Sequence, residues 1–187
     1  MNPIDEISDL LGQLKSRNQL APICLSTIGK SGGPNSRFVD LKEVSEGRLY
    51  FGTDERSTKA QEFLANSKVS ICAWWESIQV QVRVMGKIEK ASESLSGHIF
   101  LSRNQTAKAI ATVSCQSEEL TDFEGLRSKI SKFLDTVGST IDRPATWWVY
   151  GIVPTEIEFL RFSEDRIHRR KQYRLDGDSW LERELSP

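Results

Sequence analysis

Over residues 3–17 the apolar positions Ile4, Ile7, Leu10, Leu11 and Leu14 recur at helical spacing behind Asn2-Pro3. That spacing predicts an amphipathic helix laid by one face onto a core. From Pro22 the period shortens towards two. Ile23–Ile28 and Arg37–Val44 predict two strands around Lys30-Ser-Gly-Gly-Pro-Asn35, a turn of residues that tolerate unusual backbone angles, and Arg48–Thr53 predicts a third strand after Gly47. Ser57 stands where an N-cap is wanted for a short helix, Thr58–Ala65, with Ala60, Phe63 and Leu64 as its apolar stripe. Val69–Trp75 and Ile78–Lys90 return to strand. In the second, Ile78, Val80, Val82 and Val84 alternate with Gln79, Gln81, Arg83 and Met85, so one face is dry and the other wet.

The middle of the chain is helical, with helices expected over Ser92–Arg103, Thr106–Ala111 and Asp122–Val137. The last carries Phe123, Leu126, Ile130, Phe133 and Leu134 on one side. After Arg143-Pro144 the strand pattern resumes at Thr146–Val153, Glu156–Phe162, Ile167–Leu175 and Ser179–Leu185, with Asp176-Gly177 turning the last hairpin. About eight strands joined by short turns, with helices grouped in the middle, predict a mainly β, α+β fold: an antiparallel sheet closed or nearly closed into a barrel. Residues 1–187 are expected to form one domain, with an N-terminal helix over 1–20 and a helical insertion over 92–137. There is no Gly-x-Gly-x-x-Gly and no regular alternation of strand and helix, which argues against a dinucleotide-binding Rossmann domain.

Composition narrows the partners. The formal net charge is −1 and the pI about 6.2, so no bulk attraction to nucleic acid or an anionic membrane is expected. An anion site must be built locally from a few placed cations. Cys24, Cys72 and Cys115 form no Cys-x-x-Cys pair, and with only His98 and His168 beside them no zinc pattern assembles. They are expected to be buried reduced thiols. The acidic start Met-Asn-Pro-Ile-Asp-Glu is unlike a signal peptide and no run of about 18 apolar residues occurs, so a cytoplasmic location and no membrane contact are expected.

Five stretches could carry chemistry. Thr53-Asp-Glu-Arg-Ser57-Thr58-Lys59 ends a strand and opens a helix with hydroxyls and a lysine, a cradle for an anion or an ordinary capped helix. Arg37 and Lys42 stand at the ends of one strand with opposite parity, so they share a face only across a bulge. Gln81 on the wet face can both donate to and accept from a flat heterocycle. Ser102-Arg103 is followed a few turns later by Ser114-Cys-Gln116-Ser117. In Asp165-Arg166-Ile167-His168-Arg169-Arg170-Lys171, the side chains of Arg166, His168 and Arg170 share one strand face by period, where they repel unless an anion lies over them. A solvated basic edge strand is the plain alternative there.

Taken in order, these segments resemble the pyridoxamine 5′-phosphate oxidase family from about residue 20 to Pro187. The matching pieces are Ser36-Arg37 through Leu41-Lys42, Ser57-x-Lys59, Trp75 followed by Gln81-Val82-Arg83-Val84-x-Gly86, Ser102-Arg103, and Ser114-x-Gln116-Ser117. Ile157-Glu158-Phe159, Arg166-Ile-His168-x-Arg170 and the ending Trp180-Leu-Glu-Arg-Glu-Leu-Ser-Pro187 complete the set. The resemblance implies a split β-barrel homodimer with FMN in each of two clefts between subunits. It implies oxidation of an amine or alcohol, pyridoxamine or pyridoxine 5′-phosphate, to pyridoxal 5′-phosphate, with molecular oxygen reduced to hydrogen peroxide. Carried over by position, Arg37 and Lys59 would hold the FMN phosphate. Phe38, Val39, Leu41, Lys42, Gly52, Thr53 and Thr58 would line the cofactor, and Gln81 would face its ring. Gln116 and Ser117 would reach FMN from the partner chain, and Arg170 would touch the flavin. Lys42 and Arg103 would hold the substrate phosphate, and Arg166 and His168 would act over the substrate ring as the catalytic pair.

The chain departs from the family pattern chiefly at the substrate end. Ile99 replaces a tyrosine and Ala107 a serine, which removes two hydrogen bonds to a charged group, each worth roughly 1.5–3 kcal/mol. Thr58 replaces an arginine, with Arg56 near enough to reach in, and Leu160 replaces a tryptophan. Ser114–Leu120 looks closer to a related branch that oxidises phenazine precursors. Two further expectations therefore stand beside the first: oxidation of another flat anionic substrate such as a phenazine precursor, or a flavin- or pyridoxal-phosphate-binding protein without turnover.

Overall fold

The computed structural model describes residues 2–187. Helix α1 (Pro3–Ser16) buries Ile4, Ile7, Leu10, Leu11 and Leu14, and Asn2 caps it through a 3.0 Å bond from the Ile4 N–H. Nine strands follow: β1 (Pro22–Ile28), β2 (Pro34–Asp40), β3 (Glu43–Ser45), β4 (Arg48–Asp54), β5 (Lys68–Trp75), β6 (Val80–Lys90), β7 (Trp147–Arg161), β8 (Arg169–Asp176) and β9 (Ser179–Leu185). Helix α2 (Thr58–Ala65) lies between β4 and β5. Helices α3 (Glu93–Leu101), α4 (Gln105–Val113) and α5 (Phe123–Thr136) lie between β6 and β7.

All pairings are antiparallel, and the strand order is β2-β1-β5-β6-β7-β4-β3, with β8 and β9 added beside β7. β2, at one end of this path, touches β4, next to last at the other, without laddering to it. The sheet therefore curls into a barrel with an open seam between β2 and β4. The main core fills its interior with alternate residues, among them Ile23, Leu25, Phe51, Val82, Val84 and Ile157. A second core joins Ile99, Phe100 and Ala109 of the helical insertion to Tyr50, Trp147 and Val149.

Several sequence expectations change for physical reasons. Arg37–Val44 is two strands, because Leu41 turns into the core, 2% exposed, and its N–H bonds the Ala21 carbonyl instead of a ladder partner. Thr146–Val153 and Glu156–Phe162 are one strand, β7. A bulge opposite Met85 and Gly86 lets Pro154, which has no N–H to give, sit inside a central strand. The strand expected from Ile167 starts only at Arg169. Asp165 accepts from Ser163 Oγ and from the Ile167 N–H, and Arg166 adopts a left-handed φ of 64°. Arg166, His168 and Arg170 therefore do not share a strand face.

The thiols are not buried. Cys24 is half-buried, and Cys72 and Cys115 are exposed. Alternation puts Cys24 and Cys72 on the outward face, directly opposite one another. Ser57 makes no side-chain cap to α2, and Leu64 faces solvent. No described helix is long and apolar enough to cross a membrane.

Gly86 makes the bulge possible, since a Cβ there would lie 2.2 Å from the Val153 carbonyl oxygen. Gly86→Ala is expected to cost about 1–3 kcal/mol through backbone displacement, read from urea midpoints. Gly97→Ala, where nothing lies within 4 Å, is expected to be neutral or stabilising.

Candidate functional site

The seam opens into a cleft of about 640 Å³. One wall is β2, from Asn35 to Asp40, and the other is Gly52, Thr53 and Asp54 at the end of β4. The start of α2 closes one end, and Ser114, Gln116 and Ser117 cover it. Gly52 is required by close approach: a Cβ there would meet the Trp147 ring at 2.1 Å.

Lys59 is the centre of the charge pattern. It is 7% exposed, its ammonium donates to Ser57 Oγ at 3.2 Å, and among the described residues it has no carboxylate ion pair. Burial, and then the charge of Arg37, pull its pKa down from 10.5 to about 8, with Asp54 opposing. Ser57 is thus spent on Lys59 and on the Asp54 carbonyl, 2.7 Å away, instead of on a cap. Thr58 begins the helix, where first-turn N–H groups have no intrahelical acceptor. Its N–H donates to Ser117 Oγ at 3.2 Å. Ser117 itself holds a left-handed φ of 73°. Gln116 Oε1 accepts from Thr53 Oγ1 at 3.1 Å. Gln116 and Ser117 therefore line the cleft of their own chain, a correction to their expected arrival from a partner.

Arg37 reaches the same cleft on a rigid mount. Its Nη2 lies 2.7 Å from Glu62 Oε2 and its Nη1 donates to Thr27 Oγ1. Glu62 is 4% exposed and also accepts from Thr27 and Asn35 at 2.6 and 2.8 Å. Burial pushes its carboxyl up, but the bonds from Thr27, Asn35 and Arg37 outweigh that and hold it below the usual range. Nothing in the sequence pattern singled out Glu62. The available signal was its place three residues after Lys59, on the buried side of α2.

Also lining the cleft, Arg103 packs over Trp147, its guanidinium carbon 5.0 Å from a ring centroid. Its Nη2 donates to the Ala107 carbonyl at 3.0 Å, its Nε is buried without a partner, and burial lowers its pKa. Phe38, 74% exposed, and Val39 edge the cleft. Three expected contacts are used elsewhere. Arg56 grips Asp54 with two nitrogens, at 2.7 and 3.0 Å. Leu41 is core. The Lys42 ammonium is paired with Asp40 Oδ2 at 2.5 Å. Ile99, 3% exposed, packs in the second core and does not line the cleft.

The remaining expected residues lie apart from this cleft. Gln81 is half-buried on the outward face of β6, opposite Trp74 and Leu160. Arg170 donates to Glu158 at 2.8 and 3.1 Å and to the Ser186 carbonyl. His168 Nδ1 accepts from the Ser163 N–H at 3.2 Å, and its ring packs 4.5 Å from Phe162, itself 4.4 Å from Trp74. His168 and Arg170 share a separate hollow of about 560 Å³, and Arg166 is exposed beside it. One chain thus presents an anion cleft and, elsewhere, a basic and aromatic surface.

Comparison with known proteins matches residues 13–136 to the family described as pyridoxamine 5′-phosphate oxidase. Residues 147–187 match the pyridoxine 5′-phosphate oxidase C-terminal dimerisation region. The chain is 34% identical over 175 residues to a pyridoxine/pyridoxamine 5′-phosphate oxidase of Legionella pneumophila, covering 93% of this chain and 81% of the relative. It is 36% identical over 163 residues to that of Thermosynechococcus vestitus, covering 87% and 77%. Among solved structures it is similar to PhzG from Burkholderia lata in complex with tetrahydrophenazine-1-carboxylic acid, with TM-score 0.89 and 27% identity over 99% of this chain and 92% of that one. An FMN-binding protein of Nostoc punctiforme, 16% identical with TM-score 0.79, shares the fold.

The buried ammonium gives a signed pH prediction for the ligand-free protein. Lys59 has a lower pKa folded than unfolded, so its cost to stability is fully present below about pH 8 and is relieved as pH rises towards 10.5. Lys59→Met is expected to raise stability at pH 7 by roughly 2–3 kcal/mol and to gain less at pH 9.5, read from urea midpoints at both pH values.

Proposed function

The chain belongs to the pyridoxamine 5′-phosphate oxidase family, and from that premise we propose that it oxidises pyridoxamine or pyridoxine 5′-phosphate as a cytoplasmic homodimer with FMN in the seam cleft. Its class is that of an FMN-dependent oxidoreductase. The observation that carries the cofactor assignment is Lys59: a buried cation with no carboxylate ion pair among the described residues, beside Arg37 and the hydroxyl-rich start of α2. A phosphate monoester fits that donor set, because it offers several charged acceptors to cations already stripped of water.

In this reading Arg37, Lys59, Thr58 and Ser117 hold the FMN phosphate, while Gly52, Thr53, Phe38, Val39 and Gln116 shape the cleft around the rest. The chemistry FMN supplies when bound is acceptance of a hydride from the substrate carbon bearing the amine or hydroxyl, and its passage to oxygen as hydrogen peroxide. Arg103, packed over Trp147, anchors the substrate anion, while Lys42 is held by its ion pair with Asp40. Gln81, Arg166, His168 and Arg170 stand outside the cleft of their own chain, so a second copy is needed to bring them over it. The match to a dimerisation region over 147–187, which includes three of the four, supports that arrangement. The Ser163 N–H donates to Nδ1 of His168, which leaves Nε2 to carry the ring N–H as a donor for the substrate ring. The work of the protein is alignment and exclusion of water.

A second reading keeps the flavin and changes the substrate to a flat carboxylate such as a phenazine precursor. Lys42 is already neutralised by Asp40, Ile99 is in the core, and the similar PhzG structure holds a carboxylic acid.

Arg37→Ala with Lys59→Ala is expected to leave a folded dimer whose flavin affinity is at least about 100-fold weaker, two charge-assisted bonds being lost. Flavin absorbance after desalting measures it, and unchanged flavin content refutes the phosphate assignment. Anaerobic mixing of the flavin-loaded protein separates the substrates: bleaching by pyridoxamine phosphate supports the first reading, and bleaching only by a reduced phenazine carboxylate supports the second. No bleaching by any candidate leaves a binding protein.

A further inference from the structure

The cleft is cationic at both ends, yet its β2 wall carries one acid that is built in. Asp40 Oδ1 accepts the Ala21 N–H at 2.9 Å, and Oδ2 holds the Lys42 ammonium. Both bonds fix the carboxylate at the rim. The other acid of the lining, Asp54, is taken up by Arg56. Resting on the reading that FMN and an anionic substrate share this cleft, we propose that Asp40 is a specificity-determining residue: it withdraws Lys42 from the substrate end and so weakens the hold of that end on a phosphate dianion relative to a monoanion.

The physics is one of charge count. Lys42 would add one positive charge to that of Arg103, but a carboxylate in contact with its ammonium cancels it at any longer range. What remains for the substrate anion is Arg103, with no carboxylate ion pair among the described residues and with Nε free of partners. A planar guanidinium matches a single carboxylate well. A dianion loses more by that cancellation than a monoanion does, since its attraction to a free Lys42 would be about twice as large at equal distance. The local backbone is compatible with this: Leu41 turns inward with its N–H on the Ala21 carbonyl, and Lys42, two residues from Asp40, pairs with it.

The test uses flavin-loaded dimer and two probes, pyridoxal 5′-phosphate and the unphosphorylated carboxylate 4-pyridoxate, each titrated by the change in flavin absorbance. Asp40→Asn keeps an acceptor for the Ala21 N–H. It is expected to tighten pyridoxal 5′-phosphate about tenfold and to shift the ratio of the two affinities at least threefold towards the phosphate. Asp40→Asn combined with Lys42→Met is expected to lose that gain. An unchanged ratio in the single variant overturns the proposal, and so does a gain that survives removal of Lys42. Flavin content reports separately: wild-type protein that takes up no flavin sinks the cofactor reading, whereas normal flavin with an unmoved ratio sinks only the role of Asp40.

Discussion

A surplus of positive charge in a half-dry cleft is the condition on which the rest of this site depends. Arg37, Lys59 and Arg103 converge on one seam, and of the three only Arg37 has a carboxylate partner among the described residues, Glu62. Asp54 is held by Arg56, and Glu62 is buried behind Arg37 with three donors of its own. Lys59 is left with a hydroxyl for company and a pKa pulled down to about 8. A protein does not keep a buried ammonium in that state for stability, since burial without a counter-charge is a cost. The cost makes sense where an anion repays it on binding.

The fold creates this condition by failing to close. Six of the nine strands, β2-β1-β5-β6-β7-β4, could have made a continuous barrel wall, but β2 and β4 touch without exchanging hydrogen bonds. Backbone N–H groups and side chains along the seam therefore face a ligand-sized space. Gly52 belongs to the same economy of space. Without a Cβ it lets Trp147 close over the end of β4, and Trp147 in turn is the plate on which Arg103 lies. The second core thus connects the helical insertion to the position of a cation in the cleft.

Much of this was legible in the sequence because it rests on local rules. Helix α2, strand β9 and the alternation of Val80, Val82 and Val84 follow from period alone, although Ser57 does not cap α2, and Thr58 and Lys59 of the expected anion cradle line the cleft. What was not legible rests on contacts distant in sequence. The pairing of Arg37 with Glu62 spans 25 residues and that of Thr53 with Gln116 spans 63, and no periodicity encodes either. The union of two expected strands into β7 depended on a bulge at Thr155 of β7 itself, opposite Met85 and Gly86, beside which Pro154 is accommodated. The supposed shared face of Arg166, His168 and Arg170 failed because Asp165 folds its own neighbours into a turn before the strand can start. Strand parity holds only where a strand exists.

The two ends of the cleft have been treated differently, and that difference bears on what the protein evolved to recognise. At the end proposed for the FMN phosphate both cations are mounted: Glu62 and Thr27 fix Arg37, and Ser57 fixes Lys59. At the substrate end one cation, Lys42, has been turned aside onto Asp40, and the side chain of Ile99 has withdrawn into the core. Random drift would erode both ends, or would leave Lys42 pointing at solvent. A carboxylate anchored by the Ala21 N–H is instead a defined structural element, as ordered as the cofactor mounts. On the proposed reading, the substrate end therefore holds its anion through fewer free charges than the cofactor end, and Arg103 over Trp147 is the group left to receive it.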